Sequence, residues 1–467
     1  MVESAVSSIH AKRNVYVTAA IAGLAGLLFG YDTGIIAGAL LTIQPEFGLG
    51  SFAAGMVVGA VPVGAVAGAW FASTRADRLG RRRLIVVSAA IFIVGAIGSA
   101  VADGALLLIV ARIVIGLAIG VASAITPVYI SEVAPPDIRG GLVTFFQLAV
   151  TIGILVAYLV GLAFTDVDAG WRWMLGLGAV PAIVLAIGVV RLPESPRWLI
   201  MTGDEAGAKV ALERIRTGGS AAIDSEVGDI RASLGTETAG SWRDLLQPVV
   251  KAALVVGIGL AILQQVTGIN TVIYYAPTII QQAGIGSDSS AILASLGVGA
   301  INVLMTIVAL RLLDRAGRRT MLFIGVSGMS LSLFLLGAAF LGSTGTLTSV
   351  VAIASLMLFV SSFAISLGPI FWLLNAEIYP LNVRSKAASA GTMTNWFFNF
   401  LVSLTFLPLI DLLTQSGAFW FYGLVGLVTL WFCWRFVPET KGRSLEQITA
   451  VFENRVRARD RGPAGSP

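Results

Sequence analysis

The sequence GLLFGYDTGIIAGAL, residues 26–40, contains one carboxylate, Asp32, inside an apolar run long enough to cross a bilayer. A charge at membrane depth is unfavourable by roughly 3 kcal/mol or more, so it is retained where it functions or is paired. Glycine recurs here at every fourth residue and makes one flat helix face for close packing; the glycines are Gly26, Gly30, Gly34 and Gly38. We therefore predict a membrane helix packed in a bundle, with Asp32 as a functional group.

The composition of the whole chain is typical of a membrane protein. Of its 467 residues, 56% are hydrophobic and 12% are charged, which is too apolar for a soluble protein. The single cysteine, Cys433, and the single histidine, His10, give no basis for a disulfide framework or a zinc site. No phosphate loop of the type GxxxxGKS or GxxxxGKT occurs, so the chain carries no ATPase of its own. We expect no metal, no cofactor and no enzyme activity.

Segments of about 20 mostly apolar residues predict an all-α protein with twelve transmembrane helices. These segments are 15–41, 53–73, 83–101, 105–127, 140–162, 173–191, 249–282, 290–313, 320–341, 347–373, 386–411 and 418–436. The first is read as an uncleaved membrane helix because it is too long for a signal-peptide core. The predicted organisation is an N-terminal six-helix half (1–196), an intracellular helical linker (197–248), a C-terminal six-helix half (249–437) and a cytoplasmic tail (438–467).

The distribution of basic residues predicts the orientation of these spans. With the N-terminus inside, all but two of the 31 Lys and Arg residues lie on the inner side. The exceptions are Arg112, inside the fourth span, and Arg172, at the outer end of the sixth, where a long side chain reaches the interface. The net charge of +5 is therefore a topology signal, and we expect no nucleic-acid partner.

Three charged motifs occur twice in the same order. DRLGRR at 77–82 is repeated as DRAGRR at 314–319, and PES at 193–195 is repeated as PET at 438–440. Glu132 with Arg139 is likewise repeated as Glu377 with Arg384. Two halves of six spans share one orientation, which is typical of transporters whose substrate site lies between the halves.

Because acids are repeated together with bases, we predict ion pairs across the two halves that form in one conformation and break in another. The alternative is that these charges only fix the orientation of the spans in the membrane, although that role requires no acidic residues. This predicted inner charge latch comprises Asp77, Arg78, Arg82, Glu132, Arg139, Glu194, Asp314, Arg315, Arg319, Glu377, Arg384 and Glu439.

Neutral amides and tryptophans inside the spans predict a site for a polyhydroxyl ligand. Each amide both donates and accepts hydrogen bonds, and an aromatic wall suits a sugar ring. The candidates are Gln147, Gln264, Gln265, Asn270, Asn302, Trp372, Asn395 and Trp396, with Asn399 as a weaker one. Any single amide has the alternative role of a helix–helix hydrogen bond, worth about 1 kcal/mol. The neighbours Gln264 and Gln265 project about 100° apart and cannot both serve one helix seam.

Asp32 and Arg112 are predicted to lie at the same depth in the membrane. Asp32 lies ~13 Å below the outer end of the first span, and Arg112 lies ~10 Å below the same face in the fourth. An unpaired charge there is costly, so the two side chains should pair. The aspartate would then be the titrating member, because arginine does not release its proton. The alternative is a permanent structural ion pair.

The motifs PESPRW (193–198), QQVTGIN (264–270), GPIFW (368–372) and PETKGR (438–443) resemble those of the sugar porter family of the major facilitator superfamily. The resemblance runs from about residue 23 to residue 448, and is strongest to bacterial proton-coupled galactose, arabinose and xylose symporters. It implies the major facilitator fold and an acid at the position of Asp32 in proton symporters. The positions that match family sugar contacts are Gln147, Gln264, Gln265, Asn270, Asn302, Trp372 and Asn395.

The resemblance also implies gating elements. Tyr274 and Tyr275 match a region that closes over the sugar in the family, with core packing or an aromatic belt as the alternative. Pro369 and Pro380 bracket the end of the tenth span, where loss of a helix hydrogen bond favours a hinge. The resemblance implies that this span moves during transport.

Together these patterns predict a monomeric secondary transporter of the bacterial plasma membrane, with both termini cytoplasmic. It would import a monosaccharide, hexose or pentose, with a proton by alternating access. The nearest alternative is a facilitative sugar uniporter, in which Asp32 is structural. A sugar sensor is a further alternative, but residues 197–248 and the tail contain no evident signalling module. A drug–proton antiporter fits the amide-rich set less well.

Overall fold

A computed structural model describes residues 2–135, 138–216, 219–236, 241–342, 345–380, 383–441, 447–448 and 450–454, except the side chains of 2–13, 139–140, 235–236 and 314. Within these ranges the chain is helical and has no β-strand. The helices are α1 (Val2–Glu46), α2 (Ser51–Leu79), α3 (Arg81–Ala100), α4 (Ala105–Val133), α5 (Arg139–Phe164), α6 (Gly170–Gly176), α7 (Ala179–Val190), α8 (Pro196–Met201), α9 (Glu205–Ile215), α10 (Ser220–Thr236), α11 (Pro248–Val266), α12 (Ile269–Gln282), α13 (Asp288–Ala316), α14 (Arg318–Ala339), α15 (Thr346–Ala364), α16 (Leu367–Glu377) and α17 (Arg384–Phe436). A 3₁₀ helix covers Trp242–Leu246.

The described part of the chain contains eleven helical segments long and apolar enough to cross a membrane. The last of them, α17, has 53 residues, which is far more than one crossing requires. Its backbone leaves the helical region at Thr414, with φ 63° and ψ 171°, and this break divides α17 into two spans. The predicted all-α architecture with twelve transmembrane helices is therefore confirmed.

Three predicted spans contain a break that the sequence did not locate, and the sixth is divided between α6 and α7 at Leu177 and Gly178. In the seventh span, Gly268 has a left-handed backbone (φ 89°), which favours glycine, and separates α11 from α12. In the tenth span, α15 and α16 are separated by Ile365 and Ser366. Pro369 lies in the first turn of α16, so the break precedes this proline and lies well before Pro380.

The chain divides into two compact units, residues 1–35, 60–157 and 169–238, and residues 36–59, 158–168 and 239–467. In the first unit, the glycine face of α1 packs on the backbone of α5. A Cβ added at Gly34 would lie 2.9 Å from the carbonyl oxygen of Ile154, and additions at Gly26 and Gly30 would collide with the carbonyls of Phe146 and Val150. Only glycine permits this approach, so the predicted packing face is confirmed at Gly26, Gly30 and Gly34, whereas the role of Gly38 stays a prediction.

Candidate functional site

The carboxylate of Asp32 and the guanidinium of Arg112 meet inside the first unit. Arg112 Nη1 donates to Asp32 Oδ1 at 3.4 Å, and Nη2 donates to Oδ2 at 3.5 Å. Both residues are buried, with exposed fractions of 4% for Asp32 and 1% for Arg112. Both distances exceed the 2.7–2.9 Å typical of a charge-assisted hydrogen bond, so the pair is in contact without being tightly locked. The predicted pairing is confirmed, whereas its role with the proton stays a prediction.

Four predicted sugar contacts form one hydrogen-bonded cluster in the second unit. Gln264 and Gln265 lie in the last turn of α11, Asn270 lies in the first turn of α12, and Asn395 lies on α17. The left-handed turn at Gly268 brings the ends of α11 and α12 together, so that Asn270 Nδ2 donates to Gln265 Oε1 at 2.6 Å. We call Gln264, Gln265, Asn270 and Asn395 the amide cluster.

Asn395 connects the two glutamines of the amide cluster. Its Nδ2 donates to Gln264 Oε1 at 2.6 Å and to the carbonyl of Ala261 at 3.1 Å. Its Oδ1 accepts from Gln265 Nε2 at 3.0 Å. These bonds join α17 to α11, so the amides serve helix packing in addition to the sugar contact predicted for them. The contact with sugar stays a prediction.

The remaining predicted sugar contacts lie outside this network. Asn302, on α13, is 5% exposed, and its amide has no hydrogen-bond partner among the described residues. Gln147, on α5 in the first unit, is half-buried and likewise has none within the described ranges. Trp372 packs edge-on against Phe371 with ring centroids 4.9 Å apart, and Trp396 is buried. A polar amide without a protein partner is available to a ligand.

The two predicted gate tyrosines are buried against α17. The hydroxyl of Tyr274 lies 3.5 Å from Asn399 Oδ1, and that of Tyr275 donates to the carbonyl of Ser403 at 3.1 Å. The ring of Tyr275 also packs on Phe406, with centroids 4.9 Å apart. These contacts fit the packing alternative equally well, so the gating role stays a prediction.

At the inner helix ends, the repeated glutamates Glu194 and Glu439 each bind the first turn of a helix. Glu194 Oε1 accepts three backbone amides, from Arg81, Arg82 and Ser195, at 3.1, 3.0 and 2.9 Å. Negative charge at a helix N-terminus is favourable, so this carboxylate stabilises the start of α3. A Cβ at Gly80 (φ 85°) would lie 2.6 Å from Glu194 Oε2, which explains the glycine in DRLGRR.

Glu439 repeats this arrangement at the start of α14. Its Oε1 accepts the amides of Arg318 and Lys441 at 3.1 and 2.9 Å, and its Oε2 accepts that of Arg319 at 3.0 Å. Burial alone would raise the pKa of this carboxyl, but the amides of Lys441, Arg319 and Arg318 hold the pKa below its usual value.

The ion pairs of the inner charge latch involve two arginines that the prediction omitted. Arg81 pairs with Glu132 at 3.0 Å and with Asp77 at 3.3 Å. Its repeat, Arg318, lies 3.8 Å from Glu377. Both arginines occupy the fifth position of the repeated motif, DRLGRR or DRAGRR. This shared position is the sequence feature from which their pairing could have been predicted.

The other predicted members of the inner charge latch have different surroundings. Arg82 and Arg319 donate to the carbonyls of Leu192 and Trp434, and Arg384 donates to that of Tyr379. Arg78 and Arg315 are exposed. The side chains of Arg139 and Asp314 lie outside the described residues. The described pairs each join residues of one unit, and pairing across the halves stays a prediction.

Comparison with known proteins agrees with this architecture. A family model described as "Sugar (and other) transporter" matches residues 18–452. The chain belongs to the sugar porter family of the major facilitator superfamily. A sugar porter relative, the D-xylose transporter of Levilactobacillus brevis, is 42% identical over 430 residues, which cover 92% of this chain and 94% of the relative. The galactose-proton symporter of Escherichia coli (strain K12) is 40% identical, with 92% of each chain covered.

A solved sugar porter structure has the same fold. The proton:xylose symporter XylE bound to 6-bromo-6-deoxy-D-glucose matches with a TM-score of 0.80 and 32% identity, covering 94% of this chain and 99% of the other. Membership of the sugar porter family makes the chain a multi-pass membrane protein for sugar transport. The family and its fold are those of transporters rather than enzymes.

Proposed function

We propose that the chain imports a monosaccharide together with a proton across the bacterial plasma membrane. The single observation that carries the proton coupling is the buried pair of Asp32 and Arg112, with its two contacts of 3.4 and 3.5 Å. A pair at this separation has weaker attraction than a close bidentate one, so less is lost when it opens. Protonation of Asp32 removes the attraction to Arg112 and releases α1 from α4.

Coupling follows if the two protonation states favour different conformations. Pairing favours one arrangement of α1 and α4, and protonation favours the other, so proton binding biases alternating access. The parts that move would be two six-helix halves, residues 1–196 and 249–437. The linker 197–248 would join them, and the tail 438–467 would follow the second half. With the N-terminus inside, both termini lie in the cytoplasm, and one chain suffices for the cycle.

A monosaccharide is the substrate class that suits the polar groups. The amide cluster, Asn302 and Gln147 offer donors and acceptors without a charge, which matches a ring of hydroxyls. Trp372 and Trp396 supply flat apolar faces for the sugar ring. Support from outside the chain comes from relatives named for D-xylose and galactose, both monosaccharides.

The test is uptake into proteoliposomes of a panel containing D-xylose, L-arabinose, D-galactose, D-glucose and a cyclic polyol, with and without an imposed pH gradient. With one proton per sugar, a gradient of one pH unit drives accumulation of up to about tenfold. Uptake that only equilibrates, whatever the gradient, would show a facilitative uniporter instead. Failure to transport any member of the panel would overturn the proposal.

A matched variant isolates the proton site. Asp32→Asn keeps the size and an oxygen for Arg112 but cannot titrate. We expect it to exchange labelled sugar across the bilayer while losing accumulation driven by the pH gradient. Accumulation equal to that of the wild type would mean that the pair is only structural.

A further inference from the structure

Gln264 contacts both the amide cluster and the break in the tenth span. Its Nε2 donates to the carbonyl of Leu367 at 2.8 Å and to that of Gly368 at 3.4 Å, the first two residues of α16. Its Oε1 accepts from Asn395 at 2.6 Å and from Gln265 at 3.5 Å. One buried side chain thus joins the end of α11 to the start of α16.

All the hydrogen-bonding capacity of Gln264 is occupied. A primary amide has two N–H donors and an oxygen with two lone pairs, and four contacts are present. A sugar hydroxyl that binds Gln264 must therefore displace one of them. The contacts to Gly368 and from Gln265, at 3.4 and 3.5 Å, are the weakest and are displaced first.

The break lacks one backbone hydrogen bond of its own span, although the Ser366 N–H donates to the Phe363 carbonyl at 3.0 Å and Ser366 Oγ donates to the Ser362 carbonyl at 2.6 Å. Pro369 has no N–H, so the carbonyl of Ile365 lacks the donor that a continuous helix would provide. Ser366 has φ −128° and ψ −102°, outside the helical region. A Cβ at Gly325 of α14 would collide with the Ser366 side chain, so this glycine makes room for the break. The bonds from Gln264 are a cross-helix anchor for the first turn of α16.

We propose that Gln264 transmits occupancy of the sugar site to the break between α15 and α16. A sugar hydroxyl that takes the hydrogen bond of Gln264 Nε2 releases the Gly368 carbonyl, and α16 then changes its angle at Ser366. The inference rests on the sugar transport proposed above and gives Gln264 a positioning role for α16. Gln265, which has no hydrogen bond to α16 among the described residues, lacks this role.

Hydrogen exchange measured by mass spectrometry on the full-length protein tests this coupling. The ligand is the member of the transport panel that the wild type transports fastest, and the peptide covers residues 365–377. We expect saturating sugar to raise exchange over this peptide by about fivefold, the factor that corresponds to one net hydrogen bond.

Three variants separate coupling from binding. Gln264→Glu keeps the shape but removes the donors, and uncharged Gln264→Leu serves if a buried carboxylate prevents folding. In both, exchange over 365–377 should be raised without sugar and should not respond to it. Gln265→Ala should weaken sugar binding yet keep the rise at saturating sugar.

The outcomes that overturn the coupling are distinct from failure of transport. A wild type that binds sugar without any rise in exchange, or a Gln264→Leu variant that keeps the full rise, overturns the coupling and leaves sugar transport standing. A wild type that binds no member of the transport panel overturns both.

Discussion

The repeated glutamates Glu194 and Glu439 should respond differently to the same substitution. All three backbone amides at Glu194 donate to Oε1. Glu439 instead accepts two backbone amides at Oε1 and the amide of Arg319 at Oε2. Glutamine keeps one acceptor oxygen and replaces the other with a donor. In Glu194→Gln, the remaining side-chain oxygen can accept all three backbone amides. In Glu439→Gln, the new NH₂ group must face at least one backbone N–H and cannot accept from it.

The difference in stability follows from these bonds. Both substitutions remove a negative charge from a helix N-terminus, which costs about 0.5 kcal/mol at a partly exposed site. Glu439→Gln also leaves an amide without an acceptor, which costs about 1 kcal/mol, the lower end of the range for an unsatisfied donor, because the carboxylate is half-buried. We therefore expect Glu439→Gln to be more destabilising by about 1 kcal/mol.

Thermal unfolding in detergent, followed by tryptophan fluorescence, measures this difference. The Tm of Glu439→Gln should lie about 2 °C below that of Glu194→Gln. Alanine removes every acceptor at either site, so Glu194→Ala and Glu439→Ala should have similar Tm values and act as controls. If Glu194→Gln is as destabilising as Glu439→Gln, the assignment of hydrogen bonds to individual oxygens is wrong.

Two further predictions concern helix packing and pH. Gly30→Ala should destabilise the protein by about 2 kcal/mol, because its Cβ would collide with the carbonyl of Val150. Gly23→Ala, whose Cβ would lie 3.8 Å from the carbonyl of Phe145, should leave the Tm almost unchanged, and equal Tm losses would refute the packing argument. Because the folded pKa of Glu439 is lowered, its stabilisation is present above the ordinary glutamate pKa of about 4.3 and is lost as pH falls through the folded value. The Tm of the wild type should therefore fall more steeply below pH ~4.3 than that of Glu439→Gln, and parallel curves would contradict this.

Membrane physics explains which features the sequence could predict. An isolated charge in a span is so unfavourable that Asp32 and Arg112 could be paired from depth alone. Spans follow from length and hydropathy, since the bilayer sets both. Arg81 and Arg318 were missed because every arginine in a basic inner loop carries the same topology signal, whereas the partner depends on the direction in which each side chain points. The repeat places both arginines at the fifth position of the motif, which sets them apart from the other basic residues of these loops.

The break at Gly268 was missed because hydropathy does not change where a helix stops inside the membrane, whereas Pro369 predicted a hinge in the tenth span without placing it at Ser366. Irregular backbone at this depth is tolerated only where protein groups or water satisfy it. Gln264 lies in the last turn of α11, before Gly268, and donates to the first turn of α16, after Ser366. Gln264, one of the amides that suit a sugar, therefore also satisfies backbone at a broken helix. This double demand explains why the sequence identified the amides as a set but could not assign the partner of each.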